Sequence, residues 1–385
     1  MIDSARLRAQ FQELYAATPR LFSAPGRVNL IGEHTDYNDG WVLPMAIERR
    51  THVAASARSD KRLLVRSLNT GSSLELDLSH PGPKQRGSWG DYIEGTAQAL
   101  LARGFTLGGA NLLISSDVPA GAGLSASAAL ELSVGFALAS LGGAAAPDLV
   151  QLALAGQAAE HEYVGTRCGI MDQYVTALGR DGHALLIDCR SLEFCAVPVQ
   201  LGTACVLICD TQVKHELSSS SYNERRAQCE EGVALLAKAL RGTRALRDVT
   251  EDQLAAHAES LPALVAQRCR HVVSENARTL AAADCLRSGN LADLGRLMLA
   301  SHASLQHDYQ VSCAELDEAV GAASAEPGVY GSRMTGGGFG GCTVTLLEES
   351  AVERVQAAIG ARFAARFGSV PQFLVSRASA GARED

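Results

Sequence analysis

The sequence has no C-x-x-C pair, no block of a single charge sign, no Pro/Ser-rich linker and no apolar run approaching the length of a bilayer. Without paired thiols at metal-ligand spacing, its ten cysteines do not read as a zinc site. Residues 1–18 lack the apolar stretch of a signal peptide, and Leu7, Phe11, Leu14 and Tyr15 recur there at helical spacing instead. Mostly buried thiols in a reducing cytoplasm are therefore expected. A formal charge of −8 spread along the chain argues against nucleic acid or an anionic membrane as the main partner, which leaves small molecules. The absence of a spanning segment predicts no membrane insertion.

What is present is ordinary for a globular protein: 385 residues, 47% hydrophobic and 20% charged, enough for two domains with their own cores. The first half mixes strand patterns (42–57, 62–68, 73–78 and 110–118) with helical ones (92–103, 128–141 and 147–164). Residues 223–323 read as almost wholly helical, with breaks near Gly242 and Ser288-Gly289-Asn290. Strand character returns over 329–347, followed by an amphipathic helix over 351–367 and a last strand over 372–377. The fold class is α+β, with a domain junction between 180 and 200 that divides the chain into 1–185 and 186–385. Cys205 and Cys209 lie in an apolar run that a buried strand with alternating faces explains better than zinc does.

The most informative segment runs from Pro119 to Glu131, where Gly121-Ala122-Gly123-Leu124-Ser125-Ala126-Ser127 joins a strand to an apolar helix. Glycines in such a turn let the backbone approach an anion, and the helix N-terminus attracts negative charge. Ser125 and Ser127 can add a hydrogen bond and a metal contact. A tight structural turn and a loose G-x-G-x-x-G/A dinucleotide pattern are the competing readings. The dinucleotide reading lacks its βαβ context, and no lysine follows the glycines as a Walker A loop requires.

Four further segments carry polar chemistry. Arg27, Glu33, His34, Asp36 and Asn38 crowd a turn-rich loop after the first strand; they suit a polyhydroxylated ligand or simply a solvated loop of Asx turns. Glu160 and Asp172 flank a glycine turn, as a cation ligand and an enclosed acid or as a surface charge and a cap. The serines of Ser218 to Ser221 would cap a helix opening at Asn223. Gly336 to Gly341 is either a hairpin bend or a backbone approaching a ligand.

Taken together these segments resemble the galactokinases, within a superfamily that includes homoserine, mevalonate and phosphomevalonate kinases. The resemblance rests on Gly26 to Asn38, Pro119 to Glu131, Cys168 to Gln173, Ser221 to Arg226, Ser301 to Val320 and Thr335 to Gly341, almost the whole chain. It implies a two-domain kinase fold with its active site in the cleft between domains, and transfer of phosphate from ATP, with Mg²⁺, to the anomeric hydroxyl of galactose. By motif position Gly121 to Ser127 would hold the triphosphate, and Ser127 and Glu160 the Mg²⁺. Glu33, His34, Thr35, Asp36, Gly169 and Tyr222 would line the sugar pocket. Asp172 would be the general base and Arg27 its electrostatic partner. Ala126 stands where many members have a third serine. A monomer is expected. Related kinases for N-acetylgalactosamine or arabinose, and a catalytically silent sugar sensor, are the alternatives.

Overall fold

The computed structural model describes residues 3–213 and 218–385. Helix α1 (Ser4–Tyr15) is followed by β1 (Arg20–Asn29), β2 (Trp41–Val42), β3 (Pro44–Arg58), β4 (Arg62–Ser67), β5 (Ser73–Asp77), α2 (Gly90–Ala102) and β6 (Gly109–Ser116). Next come α3 (Ala126–Leu141), α4 (Leu149–Ala159), a π-helical turn (Glu160–Val164), α5 (Met171–Leu178), β7 (His183–Asp188), β8 (Phe194–Pro198) and β9 (Ala204–Asp210). A helical stretch then holds α6 (Ser218–Leu236), α7 (Glu251–His257), α8 (Ala263–Ser288), α9 (Leu291–Ser304), a second π-helical turn (Leu305–Tyr309) and α10 (Ala314–Ser324). The chain ends with β10 (Val329–Thr335), β11 (Cys342–Glu348), α11 (Val352–Phe367), β12 (Gln372–Ser376) and β13 (Arg383–Glu384).

A six-stranded sheet has the order β13-β1-β3-β6-β4-β5 and is antiparallel except between β4 and β6. Its last strand comes from the far end of the chain: Phe22 pairs with Glu384 and Ser23 with Arg383. Under this sheet lies α3, buried on nearly every side, as its apolar composition leads one to expect. Leu132, Val134 and Leu138 of α3 share one core with Val53 of β3, Leu112 of β6 and Ile93 of α2. On the sheet's far side, Leu7 and Phe11 of α1 cover Leu21, Ala54 and Leu113. Asp3 caps α1 by accepting from the Ala5 and Arg6 amides.

The second sheet, β10-β11-β9-β12, is antiparallel throughout. Strand β9 divides its residues between two cores. Cys205, Leu207 and Cys209 pack on one face with Ala319 and Ile359, whereas Val206 and Ile208 share the other core with Leu294 and Met298. The two cysteines thus lie on the same face, both as free thiols. A small sheet, β2-β7-β8, bridges the chain's halves. A junction between residues 185 and 186 falls inside β7, which is held by both of its neighbours.

Helix α6 begins at Ser218 rather than at Asn223, so the serine run lies within its first turn. Among the described residues, no helix is long and apolar enough to cross a membrane.

Candidate active site

Strand β6 runs into the glycine loop, and the loop into α3. Gly121, Gly123 and Ser125 adopt φ values of 74°, 73° and 58°. Left-handed residues alternating with ordinary ones turn successive N–H groups toward one side, the geometry of an anion nest. The first helical amides, Ala126 to Ala128, have no acceptor within the helix. Ala126 is the first residue of α3, a position that offers an anion its backbone N–H whatever the side chain. The glycine bend between β10 and β11 packs on this loop: a Cβ at Gly336 would meet the Gly123 carbonyl oxygen at 2.9 Å, and one at Gly341 the Ala122 oxygen at 3.0 Å. The bend is thus both a hairpin turn and a backbone brought close to the loop.

Arg27 leaves β1 and reaches Asp172, at the start of α5, through a two-pronged pair: Nε donates to Oδ1 at 2.8 Å and Nη2 to Oδ2 at 2.5 Å. Its third nitrogen donates to the Gly123 carbonyl oxygen at 2.5 Å. The Ser125 hydroxyl also donates to Asp172 Oδ2. One arginine therefore ties the glycine loop to the carboxylate, and the loop's own serine completes the set. Arg27 is 4% exposed; burial opposes its charge, and Asp172 and Glu33 restore it, leaving its pKa raised.

Beside this pair lies a cavity of about 170 Å³, with Arg27, Glu33, His34, Asp36, Gly169, Asp172 and Tyr222 on its walls. Glu160, Thr166, Cys168, Met171, Gly336 and Gly337 complete the lining. Glu33 hands one oxygen to the other half of the protein: Oε1 accepts from Gly336 N at 2.8 Å, Thr335 Oγ1 at 3.1 Å and Arg333 Nη1 at 3.3 Å. Asp36 rests on Gly169, where any Cβ would overlap its carboxylate. Burial, and next the nearby Asp172, pushes the Asp36 carboxyl up to about 7. His34 sits at φ 62° with its carbonyl held by Asn38 Nδ2, and burial pushes its imidazole down to about 3. Thr35, expected on the pocket wall, is not among its lining residues: its hydroxyl shares one proton between the Gly32 and Trp41 carbonyl oxygens, at 2.8 and 2.7 Å, closing the loop on itself.

The expected Mg²⁺ ligands also meet. Ser127 bonds to Glu160, and Glu131, one turn into α3 from Ser127, abuts Glu160 from behind. Glu131 Oε2 accepts from Gln173 Nε2 at 3.0 Å, and the carboxyl also bonds to that of Glu160. Burial pushes Glu160 up to about 7 and Glu131 well above the usual carboxylate range. Among the described residues no three His, Cys, Asp or Glu side chains form a metal cage. A nucleotide-borne Mg²⁺ does not need one, because it keeps waters and phosphate oxygens and takes one or two protein ligands. Buried carboxylates short of positive charge fit such a cation. Sequence reasoning missed Glu131, although an acid four residues after Ser127 in an apolar helix was the available signal. It also missed Arg333 and the lining residues Thr166, Cys168, Met171 and Gly337.

An anion-binding loop at a helix N-terminus, a carboxylate clamped by arginine beside it and a polar cavity beyond define a small-molecule kinase. Three family models match the chain: the galactokinase galactose-binding signature over residues 9–57, the GHMP kinases N terminal domain over 91–180 and the GHMP kinases C terminal over 282–365. The galactokinase of Chloroflexus aggregans is 50% identical over 99% of this chain and 97% of its own. That of Homo sapiens is 45% identical over 98% and 96%. A crystal structure of Lactococcus lactis galactokinase complexed with galactose superimposes with a TM-score of 0.95 at 35% identity, covering 99% of both chains. Mevalonate kinase of Methanococcus jannaschii, at 18% identity and a TM-score of 0.65 over 94% of this chain and 99% of its own, shares the fold. The chain belongs to the galactokinase family.

Proposed function

We propose that the protein transfers the γ-phosphoryl group of ATP to the anomeric hydroxyl of galactose, giving galactose 1-phosphate. The observation that carries this reading is the junction of Arg27, Asp172 and Ser125, which places a clamped carboxylate between a phosphate-binding loop and a polar cavity. The backbone N–H groups from Gly121 to Ser127 bind the phosphates, and Ser127 and Glu160 hold Mg²⁺. When bound, the ion neutralises phosphate charge. Glu33, His34, Asp36 and Tyr222 orient the sugar's hydroxyls, with Gly169 leaving room for Asp36. Asp172 takes the proton from the attacking hydroxyl, a contribution typically worth about 10² to 10⁴ in rate. Arg27 clamps Asp172 through both carboxylate oxygens and offsets charge on the transferring group.

Acidic walls favour a neutral sugar over a uronic acid. The cleft lies between two working units, 1–185 and 186–385, of a single chain, and a monomer suffices to build it. The free thiols of the described cysteines suit a cytoplasmic setting. The test is ADP release with Mg²⁺-ATP against galactose, N-acetylgalactosamine, arabinose, galacturonate and glucose. Galactose should be turned over with the highest kcat/KM. Preference for another sugar of the panel would move the assignment to a related kinase, and galactose binding without turnover would make the protein a sensor.

A further inference from the structure

The contacts of His34 continue well beyond the cavity. Its Nε2 lies 3.2 Å from the Gly337 carbonyl oxygen and its Nδ1 2.7 Å from the Tyr37 hydroxyl. The Tyr37 hydroxyl lies 2.7 Å from that of Tyr309, which in turn lies 3.2 Å from Cys229 Sγ. Tyr309 closes the second π-helical turn, and Glu160 opens the first. Such turns are rare and frequently mark functional sites.

A carbonyl oxygen only accepts, so the proton of His34 must be on Nε2. In a neutral imidazole Nδ1 then accepts, and the donor within reach is Tyr37. That uses the single proton of Tyr37, so Tyr309 donates to Tyr37 and the Cys229 thiol donates to Tyr309. One backbone carbonyl thereby sets the direction of the whole chain. We propose that Tyr37 and Tyr309 are positioning residues that, by donating toward Nδ1, reinforce the Nε2–H tautomer which the Gly337 carbonyl selects, so that His34 faces the cavity as a hydrogen-bond donor. His34 and Gly337 both line the cavity, so a sugar hydroxyl at their edge can accept from the Nε2–H in competition with the Gly337 carbonyl. The inference rests on the sugar-binding reading of this cavity.

The surroundings keep every link in the required state. Burial pushes His34 down to about 3 and His271, stacked at 4.6 Å on Tyr309, down to about 4, so both rings stay neutral. Burial likewise holds the Cys229 thiol up at about 11, protonated and able to donate. A purely structural role would make these rings a stack, with His34 and Tyr309 at 4.8 Å. Phenylalanine preserves a stack and removes only the hydroxyl, so it separates the two roles.

The test uses the full chain labelled with ¹⁵N-histidine, the His34 ring being assigned by its loss in His34→Gln. Wild-type protein without sugar should show the proton on Nε2, and Tyr37→Phe should move the ring toward a mixture of tautomers. Its galactose KM should rise about tenfold, the worth of one buried hydrogen bond, with ATP KM and Tm near wild type. Tyr309→Phe, one link further away, should raise galactose KM about threefold, and the double variant should be no worse than Tyr37→Phe, as expected of links in series. Should Tyr37→Phe not fold, Tyr309→Phe carries the same readouts. A wild-type proton on Nδ1, or an unchanged ring spectrum and galactose KM in the variants, overturns the proposal. The spectrum needs no sugar, so a chain that shows the Nε2–H ring but fails to phosphorylate galactose refutes the functional reading alone.

Discussion

Asp172→Asn exchanges one carboxylate oxygen for an amide nitrogen and leaves the shape of the side chain almost unchanged. In the wild-type site Oδ1 accepts from Arg27 Nε, and Oδ2 accepts from Arg27 Nη2 and the Ser125 hydroxyl. An amide oxygen can answer one or two of these three donors, and in either orientation its NH₂ must face an N–H of Arg27. Asp172 is 28% exposed to the cavity. The lost ion pair is therefore worth about 1 to 2 kcal/mol of stability, between the surface and the buried limits. The protein stays folded. The reaction loses the group that receives the proton, so kcat should fall by about 10² to 10⁴, or about 3 to 5.5 kcal/mol of barrier. Asp172 is not asked to bind the sugar strongly, so galactose KM should change less than about threefold, since uniform binding and transition-state stabilisation part company in this ratio. Coupled ADP-release kinetics on protein of verified Tm gives both numbers. A folded variant with kcat within tenfold of wild type would remove Asp172 as the base and leave it as the partner that orders Arg27.

Gly169→Ala would put a methyl group onto the Asp36 carboxylate and 2.7 Å from its Cβ. Galactose KM should then rise at least about tenfold, one charge-assisted hydrogen bond, with ATP KM unchanged; an unaltered galactose KM would take Asp36 out of the sugar site. The Asp36 carboxyl, raised from 3.8 to about 7, makes the folded state hold more protons than the unfolded one between those values, so its contribution erodes stability as pH rises through that window. Asp36→Asn should flatten that part of the Tm-against-pH profile and raise Tm at alkaline pH while weakening galactose binding; parallel profiles for the two proteins would contradict this. Arg333, fully buried, spans Asn29 O at 3.0 Å, Glu33 Oε1 at 3.3 Å and Ser301 Oγ at 3.2 Å. Arg333→Met should cost about 3 to 5 kcal/mol in urea unfolding, because Glu33 is left buried without its counter-charge, and a loss under 1 kcal/mol would show that the glycine bend holds Glu33 unaided. Glu160→Gln should raise the Mg²⁺ concentration for half-maximal activity, read by titrating the metal back after chelation; an unshifted midpoint would exclude Glu160 as a ligand.

What the chain states on its own is local. Periodicity placed the apolar helix 128–141 within two residues of α3, and the glycine loop before it stood out as a strand-to-helix turn that suited either an anion or a tight structural bend. Arg27, Glu33, His34, Asp36 and Asp172 were legible as chemistry-bearing residues, since clustered polar groups between apolar segments need a reason to be there. Which partner each would take was a matter for the tertiary structure. Ser125 could have faced phosphate, yet its hydroxyl turns to Asp172, 47 residues on. Thr35 looked like a wall residue and closes its own loop instead. Tyr309 reaches Tyr37 across 272 residues, and Glu33 gives one oxygen to a strand 300 residues away. Hydroxyls, guanidinium groups and carboxylates bond equally well to many partners, so their pairing depends on which elements packing brings together. The pairing of distant strands was hidden for a related reason: β13 returns to β1 and β7 is shared between its neighbours, and sheets are joined by backbone hydrogen bonds that no residue type announces.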